Sequence, residues 1–131
     1  MKNLSNDDFD LIAQATEIIK KNFDDKNYNH TVGAAIRCKN GNVYLGVNVY
    51  SGHGACAEYI AFGAAFTAGE REFDCIVAVR GDEPYKILSP CGNCRQMMSQ
   101  YMPDNDVIIN TESGLKKIHV KDLIPYAYIA P

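Results

Sequence analysis

Three thiols and one carboxylate form the part of this sequence that is equipped for chemistry. Cys56-Ala57-Glu58 lies in the middle of the chain, and Pro90-Cys91-Gly92-Asn93-Cys94 follows it. Structural zinc usually has four protein ligands, whereas catalytic zinc has three and leaves the fourth position to water. The first segment supplies one cysteine and the second supplies two, and no fourth Cys or His stands at ligand spacing. This spacing predicts a three-ligand zinc site formed by Cys56, Cys91 and Cys94.

Glu58 is the group left over from this ligand set. It stands two residues after the first thiol, where a carboxylate is better placed to carry protons than to bind the metal. The pattern Cys-x-Glu followed by Pro-Cys-x-x-Cys is the signature of zinc deaminases, in which the Glu acts as general acid and base. We therefore expect Glu58 to be the catalytic residue.

Other interpretations of these residues stay open at this point. A structural zinc site would need a fourth ligand, for which His53, three residues before Cys56, is the candidate. A lone His in a Gly-rich turn is more often a hydrogen-bonding turn residue. A redox pair of Cys91 and Cys94 is also conceivable, but it leaves Cys56 and Glu58 without a role.

Composition and length predict one domain over residues 1–131. At 131 residues and 47% hydrophobic, the chain is long enough to bury a core. A net charge of −3 argues against a nucleic-acid partner, which needs a clustered basic face. No apolar run at the N-terminus or of membrane-spanning length is present, so we expect neither secretion nor a membrane partner. Five cysteines, an odd number, fit a reduced cytoplasmic protein with metal-bound thiolates better than a disulfide scaffold.

The pattern of apolar residues predicts alternating helices and strands. Ser5 as N-cap and Asp8 as capping-box acid begin a helix over 6–23, whose apolar stripe is Phe9, Ile12, Ala15, Ile19 and Phe23. Further helices are predicted from Cys56 to about Ala68, over 92–101 and from 120 to 123, and strands over 31–37, 43–49, 75–80, 107–109 and 117–120. The order implies an α/β sandwich with a mixed sheet, in which the first hairpin is antiparallel and the later crossovers are parallel.

In this arrangement both cysteine clusters fall at helix N-termini. Zinc with three thiolates carries a formal charge of −1, which the helix dipoles and free N–H groups partly offset. Arg95, next to Cys94, either adds to this offset or is a surface cation. Cys75, in an apolar strand, is expected to be a buried small hydrophobe, whereas Cys38 receives no assignment.

The sequence resembles the cytidine deaminase superfamily and, within it, the blasticidin S deaminases. Val32-Gly33-Ala34-Ala35 resembles the early strand of the superfamily. The segments 46–50, leading to Cys56-Ala57-Glu58, and 88–96 resemble blasticidin S deaminases nearly residue for residue. The resemblance implies a three-layer α/β/α fold with a mixed sheet of about five strands. It also implies one zinc ion per subunit and a homotetramer whose active sites lie at subunit interfaces.

The resemblance further implies substrate-binding residues. Asn48 and Tyr50 occupy the Asn-x-Glu of cytidine deaminases, whose Glu holds the ribose, so Tyr50 indicates that an unmodified ribose is not strongly preferred. His30 falls where those enzymes place an aromatic residue near the base. Tyr128 corresponds to a substrate contact reached across an interface. Lys86 lies near the position of an Arg that blasticidin S deaminases use for substrate.

Two aromatic residues differ from the superfamily pattern or lack a clear place in it. Tyr59 stands where cytidine deaminases have an Arg that contacts the thiolates, and the sequence does not reveal what replaces that Arg. Tyr126 is expected to be a core aromatic.

The predicted function is zinc-dependent hydrolytic deamination of the cytosine 4-amino group in a free nucleoside-like substrate. Blasticidin S-type nucleosides and cytidine or deoxycytidine are both candidates. One alternative is deamination of a base in RNA or DNA, which needs a basic groove and room for a flipped nucleotide. The other is a non-catalytic zinc-binding module. The physiological role, pyrimidine salvage or antibiotic resistance, does not follow from the sequence.

Overall fold

The computed structural model describes residues 1–131, which form three α-helices, seven β-strands and one short 3-10 helix. The helices are α1 (Asn6–Asn22), α2 (Ala57–Thr67) and α3 (Gly92–Tyr101). The strands are β1 (Val32–Cys38), β2 (Val43–Val47), β3 (Val49–Tyr50), β4 (Gly54–Ala55), β5 (Phe73–Arg80), β6 (Asp106–Thr111) and β7 (Gly114–His119). A short 3-10 helix at Val120–Leu123 follows β7. None of the α-helices combines the length and the apolar character that crossing a bilayer requires.

Five strands form one mixed sheet in the order β2-β1-β5-β6-β7. β1 is antiparallel to both β2 and β5, and β7 is antiparallel to β6. β5 and β6 run parallel and are connected through α3, the crossover that the sequence predicts. β3 and β4 form a separate two-stranded hairpin. The sequence pattern there predicts only the end of a strand and a Gly-rich turn.

The two faces of the sheet are covered by different helices. One buried cluster joins α1 to the sheet and comprises Leu11, Ala15, Ile19, Ala35, Cys75, Val77, Val79 and Ile108. On the opposite face, Ile76 and Ala78 belong to the cluster that joins the sheet to α2 and α3. Consecutive residues of β5 thus point to opposite faces, as expected for a central strand. The predicted three-layer α/β/α sandwich is confirmed.

Helix α1 begins as the sequence predicts and turns most of the predicted apolar stripe to the sheet, with one exception. The Ser5 hydroxyl accepts a hydrogen bond from the Asp8 backbone N–H, and the Asp8 carboxylate accepts one from the Ser5 N–H. The predicted apolar stripe is wrong at its first position, because Phe9 is 53% exposed. The buried positions of the helix are Asp8, Leu11, Ala15 and Ile19.

Asp8 is buried in this helix where Phe9 is not. Its carboxylate is fully buried and pairs with Nη2 of Arg37 at 2.8 Å and with Nζ of Lys117 at 2.9 Å. Burial works to raise the pKa of Asp8, but hydrogen bonds from Ser5, Arg37 and Lys117 outweigh it and hold that pKa well below its usual range. A charge therefore sits where the periodicity alone suggests an apolar residue.

Strand β2 and helix α2 approach each other backbone to backbone at Gly46. A Cβ atom at this position would lie 2.4 Å from the backbone N of Ala61 and 2.6 Å from the carbonyl oxygen of Ala57. Only glycine fits such an approach. The contact fixes the first turn of α2, which carries Glu58.

Other predictions about side-chain placement have mixed outcomes. Cys75 is buried as expected, and Cys38, left unassigned from the sequence, is buried on the α2 side of the sheet. Burial raises the pKa of Cys38 to about 11 and that of Cys75 to about 12. The core placement expected for Tyr126 is wrong, since its side chain is fully exposed on the C-terminal segment.

Candidate active site

The three predicted metal ligands come together at the N-termini of two helices. Cys56 is the N-cap of α2, Cys91 is the N-cap of α3, and Cys94 lies in the first turn of α3. Their Sγ atoms all lie within 4.8 Å of one another, and those of Cys56 and Cys91 are 3.7 Å apart. A tetrahedral zinc ion with Zn–S bonds of about 2.3 Å holds its sulfurs about 3.8 Å apart. The cluster therefore fits one zinc ion.

The helix N-termini favour thiolates at this point, whereas burial opposes them and raises the pKa of the Cys94 thiol. The free N–H groups at the start of α2 and α3 present partial positive charge to the sulfurs. Burial opposes ionisation of Cys91, but a hydrogen bond from the Cys94 backbone N–H helps to lower the pKa of the Cys91 thiol below its usual range. All five cysteines of the chain are free thiols, so none of the three is bound in a disulfide.

Glu58 lies in the first turn of α2 and is buried beside this cluster. Its burial raises the pKa of the carboxyl group, against opposing hydrogen bonds from its own backbone and from Cys94. Neither Glu58 nor the exposed His53 belongs to the ligand group, which contains the three cysteines alone. The alternative of a closed four-ligand site with His53 therefore has no support in the geometry.

A cavity of about 140 Å³ opens beside Glu58 and two of the sulfurs. Its lining consists of Val32, Tyr50, Cys56, Ala57, Glu58, Ala78, Leu88, Ser89 and Cys91. Pockets that bury a whole small ligand usually measure about 300 Å³ or more. A single chain thus offers a small, mainly apolar cavity with one acid, whose volume is below that of a pocket for a whole small ligand.

Tyr50 reaches the metal centre from the β3–β4 hairpin. Its hydroxyl donates a hydrogen bond to Sγ of Cys56 at 3.5 Å. This hydrogen bond, together with burial and the neighbouring charges, raises the pKa of Tyr50 to about 12, so the phenol keeps its proton at neutral pH.

Arg95 and Tyr59 donate hydrogen bonds to residues around Cys91 and not to the sulfurs. Arg95 donates to the Pro90 carbonyl oxygen at 2.7 Å and to the Leu123 carbonyl oxygen at 3.0 Å. The Tyr59 hydroxyl donates to Oδ1 of Asn93 at 3.3 Å. Arg95 is therefore not a free surface cation, and its hydrogen bonds go to carbonyl oxygens rather than to the sulfurs.

Asn48 and His30 lie behind the cavity wall. The Asn48 side chain is buried, accepts from the Val32 backbone N–H at 2.9 Å and donates to the Thr31 hydroxyl at 3.1 Å. Nδ1 of His30 donates to the Asn48 carbonyl oxygen at 2.9 Å. Both ends of the Asn48 amide are thus occupied within the protein. In one chain, Asn48 and His30 position Val32, which lines the cavity.

Tyr128 and Lys86 do not line this cavity in a single chain. Tyr128 is 69% exposed on the C-terminal segment, where its carbonyl oxygen accepts a hydrogen bond from Gln96 at 2.7 Å. Lys86 lines a separate groove of about 290 Å³ beside α1. Of the predicted site residues, the structure brings together Cys56, Cys91, Cys94, Glu58 and Tyr50.

Comparisons with known proteins agree with this centre. The family model described as the cytidine and deoxycytidylate deaminase zinc-binding region matches residues 5–111. The chain belongs to this deaminase family. Blasticidin-S deaminase from Bacillus cereus is 40% identical over 135 residues, which cover 96% of this chain and 95% of that protein. Cytidine deaminase from Halalkalibacterium halodurans is 35% identical, covering 76% of this chain and 77% of that protein.

A solved deaminase structure shows the same fold. The crystal structure of cytidine deaminase from Burkholderia pseudomallei matches with a TM-score of 0.74 and 30% sequence identity, covering 95% of this chain and 100% of that one. Zinc is the cofactor of the deaminase family, and the sulfur cluster of this chain fits one ion per chain.

Sequence reasoning about this deaminase missed some residues that shape the site. Leu88 and Ser89 line the cavity, and their position directly before Pro90-Cys91 was the signal that could have indicated it. Gly54 lies under the Tyr50 ring, where a side chain would collide with it. No periodic pattern marks Gly54, because β3 and β4 have only two residues each.

Proposed function

We propose that this protein is a zinc-dependent hydrolase that removes the 4-amino group of cytosine from a free, nucleoside-like substrate. In this proposal Cys56, Cys91 and Cys94 bind the metal and Glu58 is the catalytic residue. The observation that carries it is the buried carboxylate of Glu58, which lies beside three clustered sulfurs at the wall of a small, mainly apolar cavity.

The proposed reaction replaces an amino group by an oxygen. Zinc held by three sulfurs supplies a Lewis acid that makes water a nucleophile near neutral pH. Glu58 accepts a proton as the water oxygen bonds to C4 of the ring, and delivers a proton to the ring nitrogen N3. Glu58 then takes the remaining proton from the new C4 hydroxyl group and passes it to the departing amino group as the C4–N bond breaks. Water is consumed, ammonia leaves, and the ring retains a carbonyl group at C4.

The first turn of α2 also helps to orient the ring. Ala57 lines the cavity, and its backbone N–H is among the first-turn donors that have no partner within the helix. That N–H is a suitable donor to an oxygen of the substrate ring. Val32, Ala78 and Leu88 supply apolar contacts for the ring and limit the access of bulk water to Glu58.

The substrate class that we propose is a cytosine nucleoside, with a sugar-modified nucleoside of the blasticidin S type preferred over cytidine or deoxycytidine. Tyr50 lacks the negative charge that would hold a ribose hydroxyl, and the Asn48 amide is already bonded to Thr31 and Val32. The relative with 96% coverage of this chain is a blasticidin-S deaminase, which supports the same choice.

We also propose a homotetramer in which neighbouring chains complete the sites. The cavity of one chain is small, while Tyr50, Tyr101, Tyr126, Tyr128 and Ile129 are large and exposed. Large apolar side chains that are exposed on a single chain are typical of surfaces that bind another protein chain. Tyr128, and Lys86 in its groove beside α1, would then reach substrate only between chains, with His30 supporting the cavity from behind. We expect the cytoplasm as the location, because reduced thiols must be available for the metal.

The test of this function is deamination of free nucleosides by the purified, zinc-loaded protein. Cytidine, deoxycytidine and blasticidin S are each incubated with the enzyme, and ammonia release is measured together with the absorbance change of the ring. We expect release from blasticidin S above all. A protein that binds one zinc ion per chain and releases no ammonia from any of the three would contradict the proposal.

A further inference from the structure

The metal centre of this chain has no cationic side chain bonded to its sulfurs. Arg95 donates its hydrogen bonds to the Pro90 and Leu123 carbonyl oxygens and to the Ser89 hydroxyl. Tyr59, directly after Glu58, donates to Asn93. Among side chains outside the cysteine cluster, the donor to a ligand sulfur is the Tyr50 hydroxyl, 3.5 Å from Sγ of Cys56.

The β3–β4 hairpin fixes the direction of the Tyr50 ring. Tyr50 pairs with Gly54 across the two strands, and the turn between them is closed by a hydrogen bond from the Ser51 N–H to the His53 carbonyl oxygen at 2.7 Å. The ring packs directly against Gly54, because a Cβ atom there would be 1.7 Å from Cδ1 and 2.6 Å from Cε1 of Tyr50. Any other residue at position 54 must displace the ring.

This packing aims the phenol at the metal centre. Cys56 follows β4 directly, so the strand that supports the ring also sets the position of the sulfur. With the ring packed on Gly54, the hydroxyl reaches Sγ of Cys56 at 3.5 Å. The seven residues 50 to 56 thus contain the hydrogen-bond donor Tyr50, the glycine against which its ring packs, Gly54, and the acceptor sulfur of Cys56.

We propose that Tyr50 is a positioning residue of the metal centre, which donates a hydrogen bond to the Cys56 thiolate and is held there by Gly54. The inference rests on the metal-ligand role proposed for Cys56. A hydrogen bond to a ligand sulfur withdraws electron density from it and makes the metal a stronger Lewis acid. Tyr50 offsets the charge of three thiolates with a neutral donor, where a cation would otherwise be needed.

The test uses Co²⁺ in place of zinc, because its thiolate charge-transfer bands report the electron density on the sulfurs. We expect the bands of Tyr50→Phe to move to longer wavelength relative to the wild type, since the sulfur loses its hydrogen bond. Tyr44→Phe, which removes a phenol hydroxyl bonded to the distant Glu70, is the matched control and should leave the bands unchanged.

Gly54→Ala provides an independent arm. Its Cβ displaces the Tyr50 ring, so we expect the same shift as in Tyr50→Phe, and no additional shift when the two substitutions are combined. If Tyr50→Phe fails to fold, the shift of Gly54→Ala decides the matter alone.

The outcomes separate this inference from the proposed function. Unchanged cobalt bands in both Tyr50→Phe and Gly54→Ala, with one metal ion bound per chain, would overturn the inference and leave the deaminase proposal intact. A wild-type chain that binds no metal would overturn both. Shifts in both variants, with no further shift in the double variant, support the role of Tyr50.

Discussion

Arg95 donates from Nε to the carbonyl oxygen of Pro90 at 2.7 Å, and so holds the residue that directly precedes Cys91. A second bond, from Nη1 to the Leu123 carbonyl oxygen, ties the same side chain to the C-terminal part of the chain. The guanidinium group therefore fixes the loop that delivers two of the three sulfurs.

Replacement of Arg95 by Lys should weaken this loop, because one ammonium group cannot reproduce the forked donors of a guanidinium. We expect Arg95→Lys to lower the free energy of unfolding by about 1–3 kcal/mol, measured by urea denaturation of the zinc-loaded protein. Arg71→Lys is the control and should change stability little, because the Arg71 guanidinium bonds exposed carbonyl oxygens and lies over the Phe66 ring, a contact that an ammonium group can also make. An equal loss in both variants would show that Arg95 has no special structural role.

Glu58→Gln tests the separation of catalysis from metal binding. The amide keeps the size of the side chain but cannot carry a proton, so we expect turnover to fall by about 100- to 10,000-fold. Zinc content and thermal unfolding should stay close to the wild type, because the three sulfurs are untouched. Glu112→Gln, the same change on an exposed turn, should keep full activity. Loss of zinc from Glu58→Gln would identify Glu58 as a ligand.

Gly46→Ala tests the backbone contact that positions the first turn of α2. The added Cβ meets the backbone of Ala57 and Ala61, which cannot move without displacing Glu58. We expect destabilisation by about 1–3 kcal/mol from overpacking, with a lower kcat. Gly52→Ala, in an exposed turn where the added Cβ meets nothing within 4 Å, is the control and should not destabilise the chain. Thermal unfolding and steady-state kinetics provide the measurements.

Asp8 should make the stability of the fold depend on acid pH. Its pKa is lowered in the folded state, so its contribution is present above the unfolded pKa of about 3.9 and is lost as the pH falls towards the folded pKa. Asp8→Asn leaves Arg37 and Lys117 without their buried partner, and we expect a loss of about 3–5 kcal/mol at neutral pH.

Urea unfolding between pH 7 and pH 3 measures this effect. The wild type should lose stability more steeply than Asp8→Asn below about pH 4, by up to about 1.4 kcal/mol per pH unit. Asp10→Asn, on the exposed side of the same helix, should behave like the wild type. Parallel curves for wild type and Asp8→Asn would contradict the prediction.

The assembly is tested through the exposed side of α2. Gly63 and Ala68 face outward and leave room for close contact with another chain. We expect the wild type to sediment as a tetramer at micromolar concentration and Gly63→Arg to sediment as a smaller species with unchanged zinc content. Ser113→Arg, in the exposed β6–β7 turn, should remain tetrameric. A wild type that sediments only as a monomer would rule out the assembly.

Local signals in the sequence predicted the helices and the metal cluster well. α2 and α3 begin and end close to the predicted positions. Cys56 and Pro90-Cys91 mark their starts, and Gly69 follows the end of α2. The spacing of the ligand residues predicts the type of metal site with little knowledge of the fold. The three sulfurs therefore met as expected.

The features that the sequence did not reveal depend on partners distant along the chain or on the fit of a few atoms. Asp8 is a core residue only because β1 and β7 supply Arg37 and Lys117. The β3–β4 hairpin is too short for a periodic pattern and depends on the contact between Tyr50 and Gly54. Tyr126 is apolar enough for a core, yet it lies on a terminal segment that one chain leaves uncovered.

The division of the three cysteines between two helices has a consequence for folding. A metal bound to Cys56 on α2 and to Cys91 and Cys94 on α3 closes the segment between them like a covalent staple, with β5 inside the loop. By the loop-closure relation used for disulfides, such a link is worth on the order of 3–5 kcal/mol. Zinc is then a structural cross-link as well as a cofactor. The folded lifetime of the chain should consequently follow the supply of free zinc, and a chelator should unfold it at temperatures that the loaded protein withstands.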